Sequence, residues 1–205
     1  MILASASPRR RELLRACGLE VTVVPADIDE TRKEGESATA LVERLAREKA
    51  LAIARELDPE DGELLVAADT IVWDESGDVL GKPEDASDAR RMLRVLSGRT
   101  HHVSTGVCVA AFDEREGWRH SSFVETTDVT FFELTDAQVN AYVSSGEPMD
   151  KAGAYGIQGL GRALVSGIAG DYPNVVGLPV GRVLRELDRL AGTDLVTTAL
   201  GGSHA

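Results

Sequence analysis

Leu64-Leu65-Val66-Ala67-Ala68-Asp69-Thr70-Ile71-Val72-Trp73 is a nearly unbroken apolar run without the alternation of a half-solvated strand, and it predicts a central strand covered on both faces. The turn residues Asp74-Glu75-Ser76-Gly77-Asp78 follow, and Val79-Leu80 is a short hairpin partner. Asp69 breaks the run. An ionised carboxylate buried there without a partner would cost roughly several kcal/mol, so it calls for a cation or a catalytic task. The plainer reading is a strand-end aspartate that caps a turn.

Upstream, Ile2-Leu3-Ala4 predicts a short buried strand, and Ser7-Pro8 has the order of an N-cap followed by a first-turn proline. The helix it opens should run from Arg9 to Cys17 and stop at Gly18. Glu20 to Pro25 predicts a strand, and Ala26 to Glu36 an acidic connection carrying Asp27, Asp29 and Glu30. Ser37 caps a second helix, in which Leu41, Leu45, Ile53 and Leu57 form one apolar row at helical spacing. Downstream, Ser87 predicts the cap of a third helix ending at Ser97-Gly98, with long strands at Thr100 to Phe112 and Trp118 to Glu133. Thr135 opens a helix to Ser144; a glycine-rich stretch, Gly153 to Gly161, precedes a strand at Ala163 to Ile168. A loop through Tyr172-Pro173-Asn174 leads to a last helix over Leu178 to Leu190. No repeat or linker marks a boundary, so residues 1–190 are read as one domain and 191–205 as a flexible tail.

The 205 residues carry 22 basic and 34 acidic side chains, a net charge of −12 that disfavours nucleic-acid backbones and anionic membranes as partners. Cys17 and Cys108 have no ligand or C-x-x-C spacing and read as reduced, buried filler in a reducing compartment. No secretory leader pattern or membrane-length apolar run is present in the sequence, which makes the cytoplasm the expected address.

Three further places break local rules. Arg9, Arg10 and Arg11 occupy the first turn of a helix, where the dipole disfavours cations; a bound anion would relieve this, and three solvated arginines are the competing reading. Lys49 falls on the row of Leu41, Leu45, Ile53 and Leu57, either snorkelling or aimed at a partner. Lys82 is held between Gly81 and Pro83, a stiff mount for a cation and also an ordinary surface turn. Other chemistries lose ground. Gly77-Asp78-Val79-Leu80-Gly81-Lys82-Pro83 is one residue short of a P-loop, and Gly159-Leu160-Gly161 lacks the third glycine of a dinucleotide fingerprint. The histidines, His101, His102, His120 and His204, form no H-E-x-x-H pair, and no serine sits in a G-x-S-x-G elbow. Cations for a polyphosphate beside carboxylates for Mg²⁺ describe triphosphate chemistry.

Leu3-Ala4-Ser5-Ala6-Ser7-Pro8-Arg9-Arg10-Arg11-Glu12-Leu13-Leu14 resembles the opening signature of the Maf family of nucleoside triphosphate pyrophosphatases. The resemblance continues through Asp29-Glu30, Leu45-Ala46-Arg47-Glu48-Lys49-Ala50, Ala68-Asp69-Thr70, Gly81-Lys82-Pro83, Asp150-Lys151-Ala152-Gly153-Ala154-Tyr155-Gly156-Ile157-Gln158-Gly159 and Asn174-Val175-Val176-Gly177-Leu178-Pro179. It implies an elongated α/β fold around a mixed sheet, related to inosine triphosphate pyrophosphatases, with a cleft between two lobes. It also implies cleavage of a nucleoside triphosphate to monophosphate and pyrophosphate with a divalent metal, Mg²⁺ first and Mn²⁺ second.

By position the resemblance makes Asp69 the proton acceptor and a metal ligand with Glu30, and Ser7, Arg10, Lys49 and Lys82 the phosphate-binding residues. Arg9, Thr70 and Gln158 match the dTTP/UTP branch, where the methylated-GTP branch has tryptophan, glutamine and glutamate. Modified pyrimidine triphosphates are further expected substrates, and a homodimer is an expected assembly. The alternative is a nucleotide-sensing regulator of septum formation with little turnover.

Overall fold

A computed structural model describes residues 1–201 of the chain. It is a mixed α/β structure with a seven-stranded sheet ordered β2-β1-β3-β5-β6-β7, with β4 paired to β3. The strands are β1 (Ile2–Leu3), β2 (Thr22–Val23), β3 (Leu64–Trp73), β4 (Val79–Leu80), β5 (Thr100–Asp113), β6 (Gly117–Phe131) and β7 (Val165–Ala169). The helices are α1 (Pro8–Ala16), α2 (Ala38–Glu56), α3 (Ala86–Leu96), α4 (Asp136–Ser144), α5 (Tyr172–Val176), α6 (Val180–Ala191) and α7 (Leu195–Ala199).

The chain gathers into two compact units. The first comprises residues 1–69, 105–124 and 177–201, and the second residues 70–104 and 125–176. Both are assembled from separated segments, and every change of unit but the last falls inside β3, β5 or β6, where no linker composition can mark it.

In the first unit β1 lies between β2 and β3, parallel to both, with Ile2 opposite Thr22 and Leu65, and Leu3 opposite Val66. Strand alternation then sorts the apolar residues into two cores. Ile2, Ala4, Leu65, Ala67, Cys108 and Ala110 pack with Ala46, Ala50 and Ile53 of α2. Leu3, Leu64, Val66, Ala68, Val107 and Val109 pack with Leu14 of α1 and with Val183, Leu184 and Leu187 of α6. Burial from both sides is the reason β3 reads as a continuous apolar run. α2 lies hard against β5 at Gly106, where a Cβ would fall 2.1 Å from the Val42 carbonyl oxygen.

The supposed tail from residue 191 is structured where it is described. α6 includes Ala191, the Asp194 carboxylate caps α7, and Leu195, Val196 and Ala199 pack on the second core; residues 202–205 lie outside the described residues. Both cysteines are free, but only Cys108 is buried, with Cys17 half-exposed.

In the second unit, the Asp85 carboxylate accepts from the Asp88 N–H at 2.8 Å and caps α3, so Asp85 and not Ser87 sets the helix start. α4 opens with a capping box, in which Thr135 Oγ1 accepts from the Gln138 N–H and the Gln138 side chain accepts from the Thr135 N–H. The expected loop at Tyr172-Pro173-Asn174 is the short helix α5, whose proline sits in the first turn. β7 pairs antiparallel with β6, Ile168 opposite Val129, and the register shifts between Thr130 and Phe131. His101, Phe131 and Tyr155 meet edge to face, and His101 Nε2 lies 2.9 Å from the Tyr155 hydroxyl.

Candidate active site

Asp69 follows Leu65 and Ala67 at two-residue spacing, so it faces the side of β3 that α2 covers. The same side is reached by Lys49, whose stem lies along the buried row of α2. Lys49 Nζ is 2.6 Å from Asp69 Oδ1 and 2.6 Å from Glu30 Oε1, so one ammonium bridges two carboxylates. The lysine and aspartate side chains are 10% and 14% exposed, but Glu30 is 60% exposed, so the cluster is open on its glutamate side.

Arg10 is buried and held from two directions. Its Nε donates to the Gly177 carbonyl at 2.8 Å, and its Nη1 donates to Ser5 Oγ at 2.8 Å. Burial pushes its guanidinium below the ordinary arginine range; the Asp69 carboxylate opposes this, Arg9 adds to it, and Glu30 opposes it again. Arg10 therefore shares the electrostatic neighbourhood of the bridged carboxylates. At the head of α1, Ser7 has extended backbone and makes no side-chain cap hydrogen bond, and the first turn has no acidic residue. Helix N–H groups, the Ser7 hydroxyl and three arginines make an anion-favouring terminus.

Of the predicted residues, Ser7, Arg9, Arg10, Glu30, Lys49 and Asp69 belong to the first unit; Thr70, Lys82 and Gln158 belong to the second. Lys82 is exposed and makes no ion pair among the described residues, while its neighbour Gly81 accepts from the Gly153 N–H at 3.1 Å. Gln158 is exposed and borders a cavity of about 590 Å³ with Ile157, Arg162, Val165, Ile168 and Tyr172.

A family model described as Maf-like protein matches residues 1–190. The chain belongs to the Maf-like family. Its relatives include the dTTP/UTP pyrophosphatase of Anaeromyxobacter sp. (strain Fw109-5), 50% identical over 98% of this chain and 94% of that one. The dTTP/UTP pyrophosphatases of Agathobacter rectalis and Bacillus cereus (strain AH820) are 47% and 46% identical, over 95% and 91% of this chain and 98% and 93% of theirs.

In this Maf-like chain, supporting residues that the sequence alone does not reveal hold the site in place. Arg44 of α2 donates to both Glu36 oxygens at 2.7 and 2.9 Å, to Glu48 at 2.9 Å and to the Thr31 carbonyl at 3.0 Å. It clamps the acidic connection that carries Glu30, and its hydrogen bonds hold the Glu36 carboxyl down to about 2. Ser5 is a second omission, since its hydroxyl accepts from Arg10 and from the Ser7 N–H at 3.3 Å. Arg44 has its salt-bridge partners eight and four residues away, and the (i, i+4) spacing to Glu48 is the one signal a sequence offers.

Proposed function

We propose that the chain hydrolyses dTTP and UTP, and modified pyrimidine triphosphates of the same ring edge, to the monophosphate and pyrophosphate. The observation that carries the reading is the Glu30–Lys49–Asp69 cluster with buried Arg10 beside it, near the uncapped start of α1. Relatives named dTTP/UTP pyrophosphatase, matched over nearly their whole length, support the substrate class.

The donor set suits a hard divalent cation. Two carboxylates gather at one point, and no group of three His, Cys, Asp or Glu side chains forms a protein-only cage among the described residues. Mg²⁺ is commonly held by one or two carboxylates together with substrate phosphates, and that matches what Glu30 and Asp69 offer. Bound there, Mg²⁺ or Mn²⁺ would neutralise phosphate charge and polarise the reacting centre.

The chain's own groups have separable tasks. Ser7, the α1 N–H groups and Arg10 grip phosphate oxygens, and Lys49 and Lys82 offset charge that accumulates on the departing pyrophosphate. Asp69, held by the Lys49 ammonium at 2.6 Å, accepts the proton of the attacking water. Arg9, Thr70 and Gln158 select the base, Gln158 through an amide that both donates and accepts against a pyrimidine edge. The enzyme works in the cytoplasm and as a homodimer in this reading; no helix among the described residues is long and apolar enough to cross a membrane.

Steady-state kinetics on the canonical ribo- and deoxynucleoside triphosphates with Mg²⁺ test the substrate class. The reading expects the highest kcat/KM for dTTP and UTP; a preference for a purine triphosphate would overturn it.

A further inference from the structure

The glycines around Gln158 have a structural reason that points to a second residue. The Glu147 carboxylate accepts from the Leu160 N–H at 2.7 Å and the Gly161 N–H at 3.1 Å, and from the Tyr142 hydroxyl at 2.9 Å. Its approach is so close that a Cβ on Gly159 would fall 2.3 to 2.4 Å from the carboxylate atoms. Tyr142 closes the other flank, its oxygen accepting from the Gly156 N–H at 3.1 Å, and a Cβ on Gly161 would fall 2.7 Å from it. Lys151 donates to the Glu147 backbone carbonyl at 2.7 Å and to Asp150, which fixes the turn from which Glu147 reaches the loop. Within the loop itself Arg162 donates to the Gly159 carbonyl at 2.8 Å and to the Gln158 carbonyl. An anion therefore takes up the N–H groups that follow Gln158, while a cation takes up the carbonyls at and just after it.

We infer that Glu147, together with Arg162, is a positioning residue that holds the Gln158 loop in one conformation and thereby sets base selectivity; the inference rests on the proposed role of Gln158. Glu147 and Arg162 bond the loop backbone and leave the exposed Gln158 side chain available in the lining of the cavity. A fixed backbone lets one amide discriminate between bases, because a mispaired base then meets a polar group that cannot move away. An amide in place of the Glu147 carboxylate keeps one acceptor oxygen and presents an NH₂ where the other stood, so at least one loop N–H loses its partner.

The test compares wild type, Glu147→Gln, Arg162→Ala and Gln158→Ala on dTTP, UTP, dCTP and dGTP, with thermal melts alongside. Glu147→Gln and Arg162→Ala should each lower the kcat/KM preference for dTTP over dGTP by about tenfold, mainly through KM for dTTP. Gln158→Ala should lower it at least as far. Arg162 is exposed, so its variant reads the same claim if Glu147→Gln fails to fold. If Gln158→Ala loses the preference while both clamp variants keep the wild-type ratio, the positioning role is overturned and the functional reading stands. If wild type shows no preference for dTTP, the underlying reading has failed instead.

Discussion

Lys49 Nζ stands 2.6 Å from Asp69 Oδ1 and the same distance from Glu30 Oε1, although the two carboxylates come from a strand and from an acidic connection. The lysine contacts both carboxylates, and its removal takes away the cation that bridges these two like charges. Lys49→Met should therefore lower unfolding free energy by about 2 kcal/mol, toward the low end for a buried pair because Glu30 is largely exposed. Urea denaturation reads this directly. The same variant should lose most of its turnover, and a Lys49→Met enzyme with wild-type stability would remove the electrostatic argument for the cluster.

The acidic connection owes its order to Arg44. Arg44→Ala should raise amide exchange across residues 27–36 by about tenfold, since four hydrogen bonds to Glu36, Glu48 and Thr31 disappear together. Exchange in the buried part of β3 should hold. Uniformly faster exchange throughout the chain would mean that Arg44 supports the whole fold and not the Glu30 segment.

Burial pushes His101 down to about 4, with neighbouring His102 adding to the effect. Between pH 6.5 and 4 the unfolded chain binds a proton that the folded chain refuses, so stability present above the unfolded value is lost as pH falls through this window. The loss is about 3 kcal/mol if the full shift is expressed. Melting temperature followed from pH 7 to pH 4 should fall for wild type and fall less for His101→Gln. Equal slopes for the two proteins would show that other groups drive the acid response.

Gly106 is where the α2 backbone meets β5. Gly106→Ala places a methyl 2.1 Å from the Val42 oxygen and 2.6 Å from the Glu43 nitrogen, contacts that only a shift of the helix can relieve. The expected cost is about 3 kcal/mol or more, at the upper end for overpacking because backbone and not a side-chain tip is struck. A Gly106→Ala protein with an unchanged denaturation midpoint would contradict this packing.

The parts of the fold legible in the sequence are those fixed by local chemistry. β3 and β4 fall where the apolar run and the Asp74–Asp78 turn put them, and Ser37 and Thr135 cap α2 and α4 through their own side chains. Asp85 and Ser87 are both competent caps, and the choice between them depends on where the chain leaves the preceding turn. Pro173 suggested a loop because proline stops helices, yet the first turn tolerates it. The division into two units is invisible because the chain changes unit in mid-strand. In the site, rule-breaking residues such as Asp69 and Lys49 announced themselves. Arg44, Ser5 and Glu147 did not, because a polar residue at an exposed-looking position breaks no local rule until the tertiary fold brings its partners.

Incubating wild type and Asp69→Asn with dTTP and Mg²⁺, with the products separated chromatographically, tests both the bond that is cleaved and the role of Asp69. Wild type should give equal amounts of dTMP and pyrophosphate, and a folded Asp69→Asn protein that still binds nucleotide should give none. Release of dTDP and orthophosphate, or an Asp69→Asn protein that turns over at the wild-type rate, would contradict the proposed reaction.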